Sequence, residues 1–235
     1  MANTSLYSTA TCYDYWSMSL IEFRDSGKKV AVGKILCLGR NYAAHAKEMK
    51  AETPEAPVIF LKPSTAILHD GGTIVIPLIS KEAHHEVEMV VAVGRGGKHI
   101  ARELALDYVS GYAVGLDMTL RDVQAEAKKK GLPWSVAKGF DTSAPISTFV
   151  EKERIRDAHN LDISLKVNGK LRQQSNTRNM IFRIEEMIAY ISSIFTLEPG
   201  DLIFTGTPEG VGEVVSGDRL EAELESVGTL RVSVQ

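Results

Sequence analysis

The chain has 235 residues, a formal net charge of −3, 44% hydrophobic residues and 24% charged residues. These fractions are close to globular averages, which excludes a disordered or fibrous chain, and a chain of this length can bury a large core without disulfides. The charge is nearly balanced and no basic tract extends beyond Lys128–Lys130, so a nucleic acid is not expected as a partner.

The cysteines and the apolar segments predict a soluble cytoplasmic protein. Cys12 and Cys37 form neither a disulfide framework nor a C-x-x-C pair, which is typical of reduced thiols. The N-terminus lacks the basic start and apolar run of a secretory signal. The longest apolar stretch, residues 188–197, is shorter than the roughly 20 residues that span a bilayer, so no membrane association is expected.

The predicted elements are mostly short strands. Residues 1–17 are polar and predict a loose lead-in, which a short hairpin follows within residues 1–33. The predicted strands, in chain order, cover residues 19–23, 34–38, 58–61, 73–76, 85–93, 112–116 and 201–205, with a hairpin over 161–175 and two strands within 219–234. Asn168-Gly169 is a type I′ turn signal at the tip of that hairpin.

Four helices are predicted between these strands. The first covers residues 41–50 with Asn41 as its N-cap, and a short one covers 101–109. The third opens at Thr119, where Asp122 completes a capping box, and it is stopped by Gly131. The fourth is amphipathic and covers residues 184–195.

Strands therefore outnumber helices, and they do not alternate regularly with them. This order disfavours a doubly wound nucleotide-binding fold and predicts a β-rich α+β protein. Since no repeat or low-complexity linker interrupts the sequence, we expect one domain.

Two glutamates lie close together on the predicted strand over residues 85–93. Glu86 and Glu88 are two residues apart, and because side chains on a strand alternate between its faces, both carboxylates point to one side. Like charges at the edge of a buried strand need a proton or a cation, and a hard divalent ion is the natural one. Asp117, at the end of a later predicted strand, is a candidate third ligand. The alternative is a pair of solvated edge residues and a helix cap.

A histidine and a glutamate share one face of the first predicted helix. His45 and Glu48 are three residues apart. A carboxylate beside an imidazole fixes its tautomer and raises its basicity, as a general base requires, although the same spacing also fits a simple surface pair. His84 and His85 adjoin the acidic strand and fit either neighbours of a metal site or ordinary, partly buried histidines.

Several other polar residues are candidates for the same site. Lys138 lies among apolar neighbours and, if it is buried, needs an anionic partner, whereas a surface lysine needs none. The segment TGTPEGVG at 205–212 allows either an anion-binding nest of N–H groups or a plain tight turn, and it is not a Walker A loop. Arg121 and Gln124 share one helix face, and they either face the site or are solvated.

Seven segments of the sequence together resemble one family. They are LGRNYAAHAKEM, PVIFLKPSTA, HHEVEMVVAVG, GYAVGLDMTLRDVQ, KGLPWSVAKGFDTSAP, LKVNGKLRQ and PGDLIFTGTPEGVG. In these segments and their order, the chain resembles the fumarylacetoacetate hydrolase family, and most closely its short members related to the acylpyruvate hydrolases. The resemblance runs from about residue 34 to the C-terminus, and residues 1–33 match less distinctly.

The resemblance implies a fold and a metal site. The expected fold is a mixed β-roll or sandwich with peripheral short helices, usually assembled as a homodimer. The family's metal, Mg²⁺ or Mn²⁺, is held by an E-x-E motif and a downstream aspartate, which fall on Glu86, Glu88 and Asp117. Its short lid helix carries an H-x-x-E motif, which matches His45 and Glu48.

The resemblance also implies substrate contacts. The family's active-site lysine falls on Lys138 and the threonine of its glycine loop on Thr207. Arg121 and Gln124 match polar residues that face the pocket in related acylpyruvases, and Arg40 in the segment LGRNYAAHAKEM is a further candidate contact.

The implied substrates are small 2-oxo and 2,4-dioxo acids. The carboxylate and the 2-oxo oxygen of such an acid can chelate one metal, which stabilises the enolate formed when the C3–C4 bond breaks. The expected reaction is acylpyruvate hydrolysis, in which His45 and Glu48 deliver a water. Oxaloacetate decarboxylation, keto–enol tautomerisation and isomerisation of the 2-hydroxyhepta-2,4-diene-1,7-dioate type use the same enolate and stay open. A non-enzymatic metal-binding or 2-oxo-acid-binding protein is the alternative from another class.

Overall fold

The computed structural model describes residues 19–48, 52 and 54–235. The expected lead-in over residues 1–17, the thiol of Cys12 and the last two residues of the first predicted helix lie outside the described residues. The strands are β1 Leu20–Glu22, β2 Lys29–Ala31, β3 Ile35–Gly39, β4 Val58–Lys62, β5 Ile67–His69, β6 Thr73–Ile74, β7 Ala83–His85, β8 Val87–Val93, β9 Val109–Leu116, β10 Thr119–Leu120, β11 Ala144–Ile146, β12 Val150–Glu151, β13 Asp162–Val167, β14 Lys170–Asn176, β15 Leu202–Phe204, β16 Gly212–Val214, β17 Arg219–Leu224 and β18 Gly228–Val234.

The helices are few and short. They are α1 Ala43–Glu48, α2 Arg121–Lys130, α3 Ser135–Lys138 and α4 Ile184–Ile194, with 3-10 helices at Ser64–Ala66, Arg102–Tyr108, Lys152–Arg154 and Thr177–Asn179. The β-rich α+β class expected from the sequence is therefore confirmed. None of the helices in the described part of the chain is long and apolar enough to cross a bilayer.

Within the described residues, the strands form four sheets. The largest has eight strands in the order β4-β3-β15-β8-β9-β11-β5, with β12 also paired to β9, and the second has five in the order β14-β13-β17-β18-β6. A three-stranded sheet has the order β10-β7-β16, and β1 pairs with β2. Parallel pairs, β3 with β15, β5 with β11 and β6 with β18, make the two large sheets mixed.

Strand β8 separates two hydrophobic clusters and is buried along its whole length. Its alternate residues from Val87 to Val93 belong to the larger cluster, which includes α4 and residues of the five-stranded sheet. Val90 and Ala92 face the other way, into a smaller cluster with Ile21 and Phe23. The N-terminal hairpin β1–β2 therefore covers one face of the main sheet, while the proposed boundary between residues 33 and 34 stays a prediction.

Two paired strands cross from one sheet into another at the same point. The prediction of one continuous strand over residues 85–93 is wrong at Glu86, because β7 pairs in the three-stranded sheet and β8 in the eight-stranded one. Asp117 marks the corresponding crossing between β9 and β10, and its backbone N–H donates to the Glu86 carbonyl at 2.8 Å. This bend of the β7–β8 and β9–β10 ribbon brings the two acids together.

Two predicted helix caps are wrong, because the side chains expected to cap the helices form hydrogen bonds with residues distant in sequence. Thr119 lies in β10, α2 begins at Arg121, and the Thr119 hydroxyl donates to Glu86 Oε1 at 3.2 Å. Asp122 accepts instead from Ser80 Oγ at 2.6 Å. Asn41 does not cap α1 with its side chain.

Asn41 is fully buried and ties two distant segments together. Its amide nitrogen donates to the Thr205 carbonyl at 2.8 Å, and its Oδ1 accepts from the Phe182 N–H at 2.7 Å.

The elements that the sequence predicts from local signals form at the expected positions. The 161–175 hairpin forms with Asn168 and Gly169 at φ 51° and 76°, as a type I′ turn requires. Gly131 ends α2 at φ 66°, and α4 lies where the amphipathic pattern predicts it. The short helix predicted over residues 101–109 is a 3-10 helix.

Candidate metal centre and active site

Three buried carboxylates meet at the bend of the ribbon. Glu86, Glu88 and Asp117 each offer one oxygen atom, and these atoms lie within 4.8 Å of one another. All three residues are at most 6% exposed. The sequence predicted that Glu86 and Glu88 lie on one strand. In the structure their carboxylates also lie close together, but Glu86 is at the point where the chain passes from one sheet to another.

Buried cations surround two of these carboxylates. Lys138 Nζ, on the short helix α3, donates to Glu86 Oε2 at 2.9 Å and to Asp117 Oδ2 at 2.6 Å. Arg121, the first residue of α2, donates to Glu86 Oε1 at 2.5 Å. Burial opposes ionisation of Glu86, but Lys138 and Arg121 together hold the pKa of its carboxyl well below the usual range.

Glu88 has no comparable cation at contact distance among the described residues. Its carboxylate accepts from the Gly206 N–H at 2.7 Å. Burial, reinforced by the charges of Asp117 and Glu86, raises the pKa of Glu88 well above its ordinary value. Glu88 is therefore the carboxyl of the three whose ionised form would need a further positive charge.

The residues present fit a divalent cation. In the described part of the chain Glu88 accepts one hydrogen bond, from the Gly206 N–H, and forms no ion pair, so its carboxylate retains lone pairs for a cation. A donor set made only of carboxylate oxygens suits a hard ion such as Mg²⁺ or Mn²⁺. Glu86, Glu88 and Asp117 are the residues that would hold it.

A second buried lysine lies beneath this site, and the sequence analysis missed it. Lys62 Nζ lies 2.8 Å from Asp117 Oδ1 and donates to the Met118 carbonyl at 3.3 Å and to Ser143 Oγ at 3.1 Å. It also donates to the backbone carbonyl of Lys138. Lys62 thus holds the strand end that carries Asp117 against the helix that carries Lys138. The only local signal was a charged residue at the end of the apolar strand VIFLK.

We expect Lys62→Met to lower the free energy of unfolding of the metal-free protein by about 1–3 kcal/mol, because Asp117 keeps Lys138 as a partner but the buried Met118 carbonyl and Asp117 Oδ1 lose their donor. Denaturant unfolding in the presence of a chelator measures this. Lys166→Met is the matched control, since Lys166 lies 3.8 Å from Glu221 in an exposed pair that is worth under about 1 kcal/mol. Equal losses in the two variants would contradict the proposed support of Asp117.

The candidate base lines the same cavity as Glu86 and Glu88. His45 is 5% exposed on α1, and its Nδ1 lies 3.3 Å from Glu48 Oε2. The Gly210 N–H donates to both carboxylate oxygens of Glu48, at 3.1 and 3.2 Å. A carboxylate on Nδ1 fixes this nitrogen as the donor and leaves Nε2 with the lone pair that accepts a proton.

The glycine loop supports both sides of the site. Gly206 binds Glu88 and Gly210 binds Glu48, so the predicted N–H nest holds carboxylates of the protein itself. Gly206 has φ 92°, and a Cβ atom there would lie 2.6 Å from Asn41 Cβ, which excludes any larger residue.

Gln173 was also missed by the sequence analysis. Its amide nitrogen donates to Thr207 Oγ1 at 2.9 Å, and its oxygen accepts from the Val87 N–H at 3.0 Å and faces His85 Nδ1 at 2.9 Å. Thr207 therefore keeps its own hydroxyl proton for a ligand. A glutamine in a polar, alternating strand carries no local signal of such a contact.

One cavity of about 260 Å³ joins these groups. Its lining includes eight of the ten predicted site residues, namely Arg40, His45, Glu86, Glu88, Arg121, Gln124, Lys138 and Thr207. Of the other two, Glu48 contacts His45 from behind and Asp117 lies below Lys138. Phe60, Trp134 and Lys128 also line it.

Arg121 connects the cavity to the neighbouring histidine. Its guanidinium donates to Gln124 Oε1 at 2.8 Å and to His84 Nδ1 at 3.3 Å, while His84 Nε2 faces Glu82 at 2.9 Å. Burial and the adjacent Arg121 lower the pKa of His84, which favours the neutral ring that this contact needs. His84 therefore orients Arg121.

Comparison with known proteins identifies the family. The profile described as Fumarylacetoacetate (FAA) hydrolase C-terminal matches residues 34–235. The chain therefore belongs to the fumarylacetoacetate hydrolase family, and the resemblance found in the sequence is confirmed.

Two named relatives and one crystal structure within the family are similar to this chain over most of its length. The chain is 53% identical over 201 residues to the mitochondrial oxaloacetate tautomerase of Rattus norvegicus, covering 86% of this chain and 91% of that protein. It is 50% identical over 202 residues to the enzyme of the same name from Arabidopsis thaliana, with the same coverage of 86% and 91%. The crystal structure of fumarylpyruvate hydrolase from Pseudomonas aeruginosa, in complex with Mn²⁺ and pyruvate, superposes with a TM-score of 0.89 at 40% identity, covering 92% and 94% of the two chains.

Proposed function

We propose that this protein hydrolyses the C3–C4 bond of 2,4-dioxo acids, yielding pyruvate and a second carboxylic acid. The observation that carries the proposal is the placement of the His45–Glu48 pair on the same cavity as the carboxylates Glu86 and Glu88. A base and a cation site on one cavity match the two needs of this reaction, which are an activated water and stabilisation of an enolate.

Glu86, Glu88 and Asp117 would hold Mg²⁺ or Mn²⁺, which when bound would supply Lewis-acid stabilisation of the enolate. The protein adds the guanidinium of Arg121 and the amide of Gln124 on the cavity wall, which suit the substrate carboxylate. Lys138 contributes a buried positive charge at the deep end of the cavity.

The protein moves the protons of the reaction. His45 Nε2 takes a proton from the attacking water while Nδ1 donates to Glu48, and the hydroxide forms a bond to C4. The C3–C4 bond then breaks, C4 leaves as a carboxylic acid, and the electron pair remains on the pyruvate fragment. The proton returned to C3 completes pyruvate, so one water is consumed for each bond cleaved.

Oxaloacetate keto–enol tautomerisation is the second candidate, and the two named tautomerases at 50–53% identity favour it. This reaction moves one proton between C3 and the 2-oxo oxygen, for which the same His45 and the same cation site suffice. Support for it comes from sequence likeness, whereas the His45–Glu48 geometry serves both reactions.

A substrate panel tests the proposal. Purified protein loaded with Mg²⁺ or Mn²⁺ is mixed with acylpyruvates, with enol oxaloacetate and with keto oxaloacetate, and the products are analysed. Pyruvate and a second acid from an acylpyruvate support hydrolysis. Loss of the oxaloacetate enol signal without cleavage or CO₂ release, together with inert acylpyruvates, would replace it by tautomerisation, and CO₂ release would indicate decarboxylation.

We also infer a homodimer, which rests on the expectation for the family. Sedimentation velocity at micromolar concentration should show a species of about twice the monomer mass, and a monomer alone would contradict the inference. The cytoplasmic location stays a prediction from the sequence.

A further inference from the structure

The side chain of Gln173, on β14, is buried between β8 and the glycine loop and uses all of its hydrogen-bonding capacity there. Its amide nitrogen donates to the Pro208 carbonyl and to Thr207 Oγ1, both at 2.9 Å. Its oxygen accepts from the Val87 N–H at 3.0 Å and from His85 Nδ1 at 2.9 Å. Two donors and two lone pairs are thus matched with four partners.

Two backbone groups fix the orientation of this amide. The Val87 N–H can only donate and the Pro208 carbonyl can only accept, so the amide oxygen faces β8 and the amide nitrogen faces the loop. A flipped amide would place donor against donor at Val87 and acceptor against acceptor at Pro208. Gln173 is therefore a fixed donor toward Thr207.

The fixed donor determines what the Thr207 hydroxyl can do. A hydroxyl carries one proton, and because Oγ1 already accepts from Gln173, this proton is free to be donated elsewhere. Among the hydrogen bonds of residues 19–48, 52 and 54–235, none has Thr207 Oγ1 as its donor, and Thr207 lines the cavity. The cavity wall at this point therefore offers a proton to a ligand.

Close packing keeps the loop against β14, so that Thr207 cannot move away from Gln173. A Cβ atom on Gly210 would overlap the carbonyl of Arg172. At the end of the loop, Gly212 pairs with His85 where β16 joins β7. The contact between Gln173 and Thr207 is thus held from both sides.

We propose that Gln173 is a positioning residue that sets the hydrogen-bond polarity of Thr207, so that the Thr207 hydroxyl donates to an anionic oxygen of the acid bound in the cavity. The nature of this acid rests on the proposed function. A glutamate at position 173 would have nearly the same shape, but its carboxylate would accept the Thr207 proton. The hydroxyl would then turn its lone pairs toward the anionic ligand.

A double-mutant cycle tests this coupling. Pyruvate is titrated into Mn²⁺-loaded protein by calorimetry, for the wild type, Gln173→Glu, Thr207→Val and the double variant. Each single variant should weaken pyruvate binding about tenfold or more, as loss of a hydrogen bond to a charged group predicts. The double variant should bind within about threefold of Thr207→Val, because Gln173 acts through a hydroxyl that this variant has already lost.

Two controls separate polarity from charge and from support of the loop. Gln174→Glu adds the same charge to an exposed position of the same strand, and it should keep pyruvate affinity within about twofold. The Mn²⁺ affinity of Gln173→Glu should not fall. A disrupted loop would lower it, because the Gly206 N–H would no longer hold Glu88 in place.

Three results would overturn the positioning role: losses that multiply in the double variant, wild-type pyruvate affinity in Gln173→Glu, or a parallel loss of Mn²⁺ affinity. Absence of pyruvate binding to the loaded wild-type protein would overturn it as well. If acylpyruvates are inert while the pyruvate affinities follow the expected pattern, the proposed function fails and this inference stands.

Discussion

Replacing Glu88 with alanine should abolish metal-dependent turnover, with a loss of at least about 10³-fold, because the Lewis acid supplies several kcal/mol of transition-state stabilisation. Glu88 is the one carboxylate of the three that contacts no cation within the described part of the chain, so its charge serves chiefly an added ion. The fold should survive, since removing a buried acid with a raised pKa also removes its desolvation cost.

Binding measurements separate loss of the metal from loss of the fold. Calorimetric titration with Mn²⁺ should show binding to the wild-type protein and little or none to Glu88→Ala and the isosteric Glu88→Gln. Glu223→Ala, which removes an exposed carboxylate from β17, is the control and should bind Mn²⁺ as the wild-type protein does. Full activity of Glu88→Ala after treatment with a chelator would show that the metal assignment is wrong.

The second large effect is expected at His45. Because general-base assistance typically contributes about 10²–10⁴-fold, His45→Ala should slow acylpyruvate hydrolysis by that factor while Mn²⁺ affinity stays nearly unchanged. Glu48→Gln should cause a smaller loss, since it retains a hydrogen-bond acceptor for Nδ1 but removes the charge that stabilises the imidazolium. His69→Ala, at the exposed end of strand β5, is the control.

A comparison of substrates shows what His45 does. Decarboxylation of oxaloacetate needs no activated water, so any such activity should fall less than hydrolysis in His45→Ala. Undiminished hydrolysis would eliminate His45 as the base. Equal losses in both reactions would assign it to a step they share, such as closure of α1 over the substrate.

Local patterns accounted for the elements that depend on neighbours in sequence. The Asn168-Gly169 turn, the amphipathic helix α4 and the alternating residues of β8 each carry their own signal, and each forms where it was expected. The seven family segments then pointed to residues that the structure gathers around one cavity.

Tertiary contacts explain what the sequence could not predict. Glu86 ends a strand because its two flanking segments find partners in different sheets, and no local pattern encodes that choice. Thr119 and Asn41 are residue types that often cap helices. In this fold their side chains instead form hydrogen bonds with buried groups that are distant in sequence. Lys62 and Gln173 are unremarkable in sequence, and only the fold shows that they support the site.

Because the β7–β8 and β9–β10 ribbon bends at the candidate metal site, this site lies where the three-stranded sheet joins the eight-stranded sheet. Glu86 and Asp117 lie at the two crossing points, and the chain continues from β10 directly into α2. An ion held there would fix the angle between the sheets and, with it, the direction in which α2 presents Arg121 to the cavity. Arg121 on α2 and Lys138 on α3 already bind these two acids, so an ion bound between the sheets and the wall of the cavity would share the same carboxylates.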